Sequence, residues 1–389
     1  MTITCDHWLH PTQVFDGHRL LSDTAIGING NEIAAIVPAS DLPESASVQR
    51  INKIVSPGFF DIQINGGGDV LFNTSPNREG LSRIAAAHAA TGTLHWLPTA
   101  ITDSPDVLSA ACDAVQQSIG QFGIAGIHIE GPHIAVERKG AHKNHWIRPF
   151  DEHTLSCVTR LRENDIPVLI TIAPEAMAPG QVANLVKMGA VVSIGHTNAT
   201  SAQTKQTLDE GAQLFTHLFN AMSQIENREP NVVGTAINSS QYCSIIVDGL
   251  HVDLDIVGLA TRARPVDDRM IIVTDAMPTV GGSEEFVLYG NKIHLEDGRL
   301  INDEGSLAGA HTTVPEEIRN YVQKVGIPLE DVLKMATSNP ATLMKLNNTI
   351  GGLKAGIPDT VLLIEPSLSN FEVVNLASVF SNKGCVSNF

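Results

Sequence analysis

Basic residues are in short supply: 25 Lys and Arg stand against 42 Asp and Glu in 389 residues, a formal net charge of −17. Broad electrostatic attraction to nucleic acid or anionic lipid is thereby disfavoured, and an anionic ligand needs a local cationic pocket. No apolar run approaches the roughly 18 residues that span a bilayer, so no membrane partner is expected. Cysteine is scarce too. Cys5, Cys112, Cys157, Cys243 and Cys385 are scattered, odd in number and without close pairs. That argues against a disulfide framework or a thiolate metal site and fits a reducing cytoplasm. The opening MTITCDHWLH lacks the basic and apolar segments of a secretory signal, so the mature chain is expected to begin where the sequence does, in the cytoplasm.

What is present is a globular composition, 43% hydrophobic, and enough chain for one large α/β barrel with a small accessory domain or for two medium domains. In PGFFDIQINGGG, residues 57–68, Asp61, Gln63 and Asn65 alternate with Phe60, Ile62 and Ile64. This period of two is that of a strand, with three polar groups on one face and a glycine triplet that admits close approach of other segments. β-Branched runs near 58–64, 94–100, 124–130, 167–173, 190–195, 213–218, 243–248 and 270–275 predict eight strands. Helical stretches are predicted at 78–90, 105–121, 151–163, 178–188, 200–210 and 253–263, the fourth with Pro179 near its first turn. Strands alternating with helices favour a closed (β/α)8 TIM-like barrel, here 54–349, over an open doubly wound sheet. After the eighth strand a β-like excursion at 284–301 precedes helices at 313–325, 328–338 and 340–346. Residues 1–53 and 350–389, with Asn-Gly turns and the run TVLLIEP, predict a small accessory β domain built from the two ends of the chain.

In such a barrel the carboxyl ends of the strands converge on one mouth. Strand three ends GIHIEGPH with Glu130, strand five SIGHTNAT with His196, strand six FTHLFNAM with His217, and strand eight IVTDAMP with Asp275. A carboxylate and two imidazoles make a three-ligand set with an open position, as catalytic zinc uses, although other divalent ions fit an N/O site. A lone His196 reads equally well as a structural residue, and Asp275 as a helix cap. It is their joint placement that favours chemistry.

These motifs, with KGAHKNHW, REPNVVG, VDGLHVD and GSLAGA in order over most of the chain, resemble the N-acetylglucosamine-6-phosphate deacetylases of the amidohydrolase superfamily. The resemblance implies one divalent ion per subunit, zinc by preference, on Glu130, His196 and His217. Gln63 and Asn65 stand where many amidohydrolases carry His-x-His for a second metal. Amides are poor ligands beside imidazole, and strand four offers no bridging lysine, so the second site is expected to be absent. Gln63 and Asn65 would serve equally well as hydrogen-bonding partners of loop backbone.

The resemblance further implies that Asp275 is the general base and then acid of amide hydrolysis, and that His142 touches the substrate near its acetyl carbonyl. It places Ala141, His142, Asn220, Ala221, Arg228, His251, Leu307, Ala308 and Gly309 against an amino-sugar phosphate, with the phosphate contact completed across a homodimer or higher homo-oligomer. Arg228 can grip phosphate with its planar fork, or can instead belong to a surface ion-pair cluster with Glu226 and Glu229. Lys139, His145 and His133 read as solvated loop residues. Rival readings are the galactosamine epimer as substrate, a cyclic-amide hydrolase and a non-catalytic sugar-phosphate sensor. Two departures from the family pattern stand out: Phe219 where relatives often carry tyrosine, and the closing stretch NLASVFSNKGCVSNF.

Overall fold

The computed structural model describes residues 5–302, 307–358 and 360–380. Its centre is an eight-stranded parallel sheet whose neighbours follow chain order: Phe59–Ile64, Thr93–Ile101, Ile127–Glu130, Val168–Ile172, Val191–Ile194, Leu214–Phe215, Tyr242–Ile245 and Met270–Ile272. The eighth strand meets the first through main-chain bonds from Asp275 N to Gln63 O (3.0 Å) and from Asn65 N to Ala276 O (2.9 Å). The Asp61 carboxylate ties the same seam, accepting from Thr274 Oγ1 at 2.6 Å and Thr274 N at 3.1 Å. The sheet is thus a (β/α)8 barrel, as the alternation of strands and helices predicts. Of the three polar residues of strand one, Asp61 therefore closes the barrel, while Gln63 and Asn65 are left to face the mouth.

Around it lie α1 (Arg78–Ala89), α2 (Pro105–Ser118), α3 (Glu152–Glu163), α4 (Gln181–Lys187), α5 (Ser201–Asp209), α6 (Asn231–Asn238) and α7 (Leu254–Ala263). Several open on a side chain that accepts an orphan helical N–H: Asn77 for α1, Ser104 for α2, Asp151 for α3 and Thr200, in a capping box with Gln203, for α5. Two expectations are corrected. Helix α6 was not predicted from sequence, and α4 starts at Gln181, after Gly180 in the left-handed region, so Pro179 precedes the helix instead of lying in its first turn. Gln181 Oε1 holds Ala178 N at 2.8 Å, which satisfies that turn without helix.

The helices bury their apolar faces on the outside of the sheet, in a core that includes Trp96, Ile129, Val158, Ile172, Phe215 and Ile245. Inside the barrel, Phe60, Leu97, Leu169, Val191, Leu214 and Ile271 form an apolar floor. At roughly 1.5–3 kcal/mol per large side chain, this burial fixes the strand ends that carry the site. Above the floor, the alternation of side chains brings a hydrogen-bonded polar layer: His128 Nε2 to Thr171 Oγ1 at 2.8 Å, and Thr171 Oγ1 to Thr216 Oγ1 at 2.7 Å.

The ends of the chain form two further sheets. One orders the strands Glu32–Pro38, Thr24–Asn29, His7–His10 and Val48–Arg50; the other orders Phe371–Asn375, Thr360–Ile364, Ile54–Ser56, Gln13–Phe15 and Leu20–Ser22. The hairpin between Asn29 and Glu32 turns through Gly30 and Asn31, with Gly30 at φ 56°. The expected excursion after strand eight is an antiparallel sheet of Glu285–Leu288, Asn291–Glu296, Arg299–Asn302 and Leu307–Ala310, followed by helix α8 (Val314–Arg319). The stretch NLASVFSNKGCVSNF begins at the end of one strand and continues into a helix at Leu376–Phe380; its remainder, with Cys385, lies outside the described residues. No helix among the described residues is long and apolar enough to cross a membrane.

Candidate active site

Glu130, His196 and His217 arrive from three strand ends and meet. His217 Nε2 lies 3.0 Å from Glu130 Oε1 and 3.0 Å from His196 Nε2, and His196 Nε2 lies 3.3 Å from the same oxygen. All three side chains are buried. The chain must turn sharply where strand becomes loop, and His196 (φ 47°), His217 (φ 32°) and Asp275 (φ 51°) all take the left-handed region. That strain, of order 1–3 kcal/mol each, concentrates where function is built.

Hydrogen bonds distinguish the imidazoles. His196 Nδ1 lies 2.8 Å from the carbonyl oxygen of Arg138. A carbonyl only accepts, so Nδ1 carries the hydrogen and Nε2 presents a lone pair, the arrangement of a metal-ligating histidine. His142 is held the other way. Its Nδ1 lies 2.7 Å from Thr102 Oγ1 and accepts from Thr102 N at 3.4 Å, which leaves the ring hydrogen on Nε2, facing the site as a donor. Its Nε2 stands 3.9 Å from Glu130 Oε2.

With the His217 hydrogen also on Nδ1, the three atoms are all acceptors within 3.3 Å of one another and repel unless a cation sits among them. Donor atoms on a tetrahedral zinc, at bonds of about 2.0–2.1 Å, are separated by about 3.3 Å, so the set fits a small divalent ion. An overlapping group, Glu130, His142 and His196, also offers one ligand atom each within 4.8 Å of one another. The two groups share Glu130 and His196 and differ in which third imidazole completes them.

Charge follows the same geometry. Burial raises the cost of ionising Glu130, but the His196 and His217 rings against its oxygen outweigh it and hold its carboxyl well below the usual range. Burial, then the Glu130 charge, pushes Asp275 up to about 6. Burial, then the neighbouring His196, pushes His142 down to about 3 and keeps it neutral.

Gln63 and Asn65 join the acids. Gln63 Nε2 donates to Glu130 Oε1 at 2.9 Å and to Asp275 Oδ1 at 3.2 Å, and Asn65 Nδ2 donates to Asp275 Oδ1 at 2.6 Å. The glycine triplet behind them is needed: a Cβ on Gly66 would stand 2.5 Å from Val70 O.

The remaining predicted residues divide into inner and outer groups. His251 is gripped by Asp248, Nδ1 to Oδ2 at 2.6 Å. Asn220 Nδ2 donates to His217 O at 3.3 Å, and Ala221 turns with φ 50°. Ala308 is buried, and Gly309 has no room for a Cβ, which would meet Met277 at 2.6 Å and Asp275 O at 3.2 Å. Ala141 packs partly buried against the cluster of Leu71, Ile101 and Met277. Leu307 and Arg228 stand exposed, and among the described residues Arg228 makes no ion pair with Glu226 or Glu229. Glu229 instead accepts from Ser201 N and Asn231 N, both at 3.1 Å. Phe219 is partly buried against the main core.

Lys139 and His145 are exposed, as expected, but His133 is not a solvated loop residue. It is fully buried, with Nδ1 3.1 Å from Arg148 O and Nε2 2.9 Å from Thr154 Oγ1, because the loop doubles back over α3. Sequence reasoning also missed Thr102 and the Arg138 carbonyl, which orient two of the imidazoles. For Asp248, its place three residues before His251 was the available signal.

A cavity of about 590 Å³, lined by Leu94, His95, Phe122 and Leu353 among others, opens at the opposite end of the barrel and contains none of these groups.

A barrel whose strand ends carry one acid, convergent imidazoles and a separate aspartate is the architecture of the amidohydrolases, and residues 54–382 match the model of the amidohydrolase family, to which the chain belongs. It is 39% identical over 292 residues to the N-acetylgalactosamine-6-phosphate deacetylase of a Shewanella species, covering 74% of this chain and 73% of that one. It is 32% identical over 369 residues to the N-acetylglucosamine-6-phosphate deacetylase of Haemophilus influenzae, covering 93% and 95%. The crystal structure of the N-acetylglucosamine-6-phosphate deacetylase of Pasteurella multocida superposes with a TM-score of 0.85 at 31% identity, over 95% of this chain and all of that one.

Proposed function

We propose that the chain hydrolyses the acetamido bond of N-acetyl-D-glucosamine 6-phosphate, giving glucosamine 6-phosphate and acetate, with one divalent ion on Glu130, His196 and His217. The observation that carries this reading is the convergence of Glu130 Oε1, His196 Nε2 and His217 Nε2 within 3.3 Å, joined through Gln63 to Asp275. His217 is the better third ligand, because its nitrogen is nearer and the Thr102 bonds direct the His142 hydrogen toward the site.

A divalent cation held there supplies Lewis acidity toward water and toward the amide carbonyl. The side chains do the rest. Asp275 accepts a proton from water as its oxygen bonds to the acetyl carbon, and His142 Nε2–H donates to the carbonyl oxygen as it gains charge. When the C–N bond breaks, Asp275 returns the proton to the departing amine. His251, fixed by Asp248, and the exposed Arg228 hold the phosphate. The Arg228 loop is the proposed contact with a second copy of the chain, a reading that the exposure of Arg228 and Ile225 supports.

The 39% identity to a galactosamine-type deacetylase favours a second reading, the same cleavage on the epimeric sugar. Acetate release from both N-acetylhexosamine 6-phosphates, with and without zinc, decides between them. Activity on neither would refute both, whereas sugar binding retained without turnover in Asp275→Asn supports the enzyme over a sensor.

A further inference from the structure

Asp275 has two carboxylate oxygens, and the structure treats them differently. Oδ1 accepts two N–H groups, from Asn65 Nδ2 at 2.6 Å and Gln63 Nε2 at 3.2 Å. Among the described residues, no hydrogen bond reaches Oδ2. The second hydrogen of Asn65 Nδ2 goes to the Asp275 carbonyl oxygen at 3.2 Å, and the second hydrogen of Gln63 Nε2 goes to Glu130 Oε1 at 2.9 Å. An amide nitrogen has two hydrogens, so three of the pair's four donors go to the two carboxylates and the fourth to the Asp275 main chain.

The orientation of Asn65 is set by Asp275. Turned over, its Oδ1 would stand 2.6 Å from another acceptor. In the orientation observed, Oδ1 is buried with no partner among the described residues. A fold that leaves a buried acceptor unpaired in order to keep both its donors on Asp275, one on the carboxylate and one on the main chain, is spending stability on the position of that residue. Gln63, 1% exposed, spans Glu130 and Asp275 with a single amino group and so fixes the distance between them.

We infer that Gln63 and Asn65 are positioning residues that saturate Asp275 Oδ1 and leave Oδ2 as the one atom that carries the proton. Resting on the proposed hydrolysis, the cycle is then specific at the atomic level. A water O–H bond breaks and its proton goes to Oδ2 as the water oxygen bonds to the acetyl carbon. The Oδ2–H bond then breaks and the proton goes to nitrogen as the C–N bond opens. No other reactant is consumed. An Asp275 free to turn about its Cα–Cβ and Cβ–Cγ bonds would present either oxygen at variable distance, a loss that falls on turnover and not on sugar binding.

The test uses Gln63→Met and Asn65→Leu, which remove the donors at nearly constant volume, and Asn65→Ser as the smaller alternative should the leucine not fold. The expected result is a kcat lowered about 10–100-fold, with KM within about threefold of the parent and metal per subunit unchanged. Crystals of Asn65→Ser should show the Asp275 carboxylate turned from its place. A kcat within about twofold of the parent, or losses of kcat, KM and metal content in step, would overturn the inference. A parent inert on both sugar phosphates would refute the proposed function instead, and the position of the carboxylate in the Asn65→Ser crystals would then decide the positioning role alone.

Discussion

Thr102 turns His142 toward the site: its hydroxyl lies 2.7 Å from Nδ1, and its backbone N–H points at the same atom from 3.4 Å. The histidine lies on the loop after strand three and the threonine just past strand two, so the parallel pairing of those strands, and not sequence proximity, brings them together. Thr102→Val keeps the shape and the backbone donor but loses the hydroxyl. A lost hydrogen bond of about 1–1.5 kcal/mol predicts a kcat about tenfold lower with the fold intact, read by steady-state kinetics.

His251 depends in the same way on Asp248, whose carboxylate holds Nδ1 at 2.6 Å and also accepts from His251 N at 2.9 Å. Asp248→Asn should raise KM about tenfold for the phosphorylated sugar. On the proposed function, in which His251 holds the phosphate, it should leave any turnover of unphosphorylated N-acetylglucosamine nearly unchanged. Equal losses on both substrates would assign the pair a structural role.

Glu317, on α8, offers a pH prediction away from the site. It is fully buried, and among the described residues neither carboxylate oxygen has a hydrogen-bond partner. Burial, then the charges of Asp248 and Asp61, push its pKa well above the ordinary value of 4.5. The folded chain therefore keeps this proton where the unfolded chain has lost it, and the stability this group contributes falls as pH rises from about 4.5 toward the folded value. Glu317→Gln removes the titration. Its Tm should match the parent near pH 4.5 and exceed it by about 1 °C at pH 8, for a gain on the order of 1 kcal/mol. Equal shifts at both pH values would contradict this account.

The eight strands were legible because most are short β-branched runs that alternate with helical stretches, and the ligand-type residues were legible because barrel topology gives the strand ends a common destination. Helix α6 was not. NVVGTAIN is buried almost throughout and carries Gly234 and four β-branched residues, so its helical propensity is low. Strand six was expected to run to 218 but ends at Phe215, because His217 must take a left-handed turn to face Glu130. The burial of His133 and the Arg138 carbonyl behind His196 depend on how one long loop folds back, which no local pattern encodes. The role of Gln63 was half visible: its type argued against a metal ligand, but only the fold shows one amide spanning two acids.

Titrating zinc into chelator-stripped protein while measuring acetate released from N-acetylglucosamine 6-phosphate tests the central claim most directly. The account predicts no turnover without metal, a linear rise, and a plateau at about one equivalent per subunit, with Glu130→Ala and His217→Ala failing to reach it. Full turnover by the stripped protein, or a plateau that requires two equivalents, would contradict it.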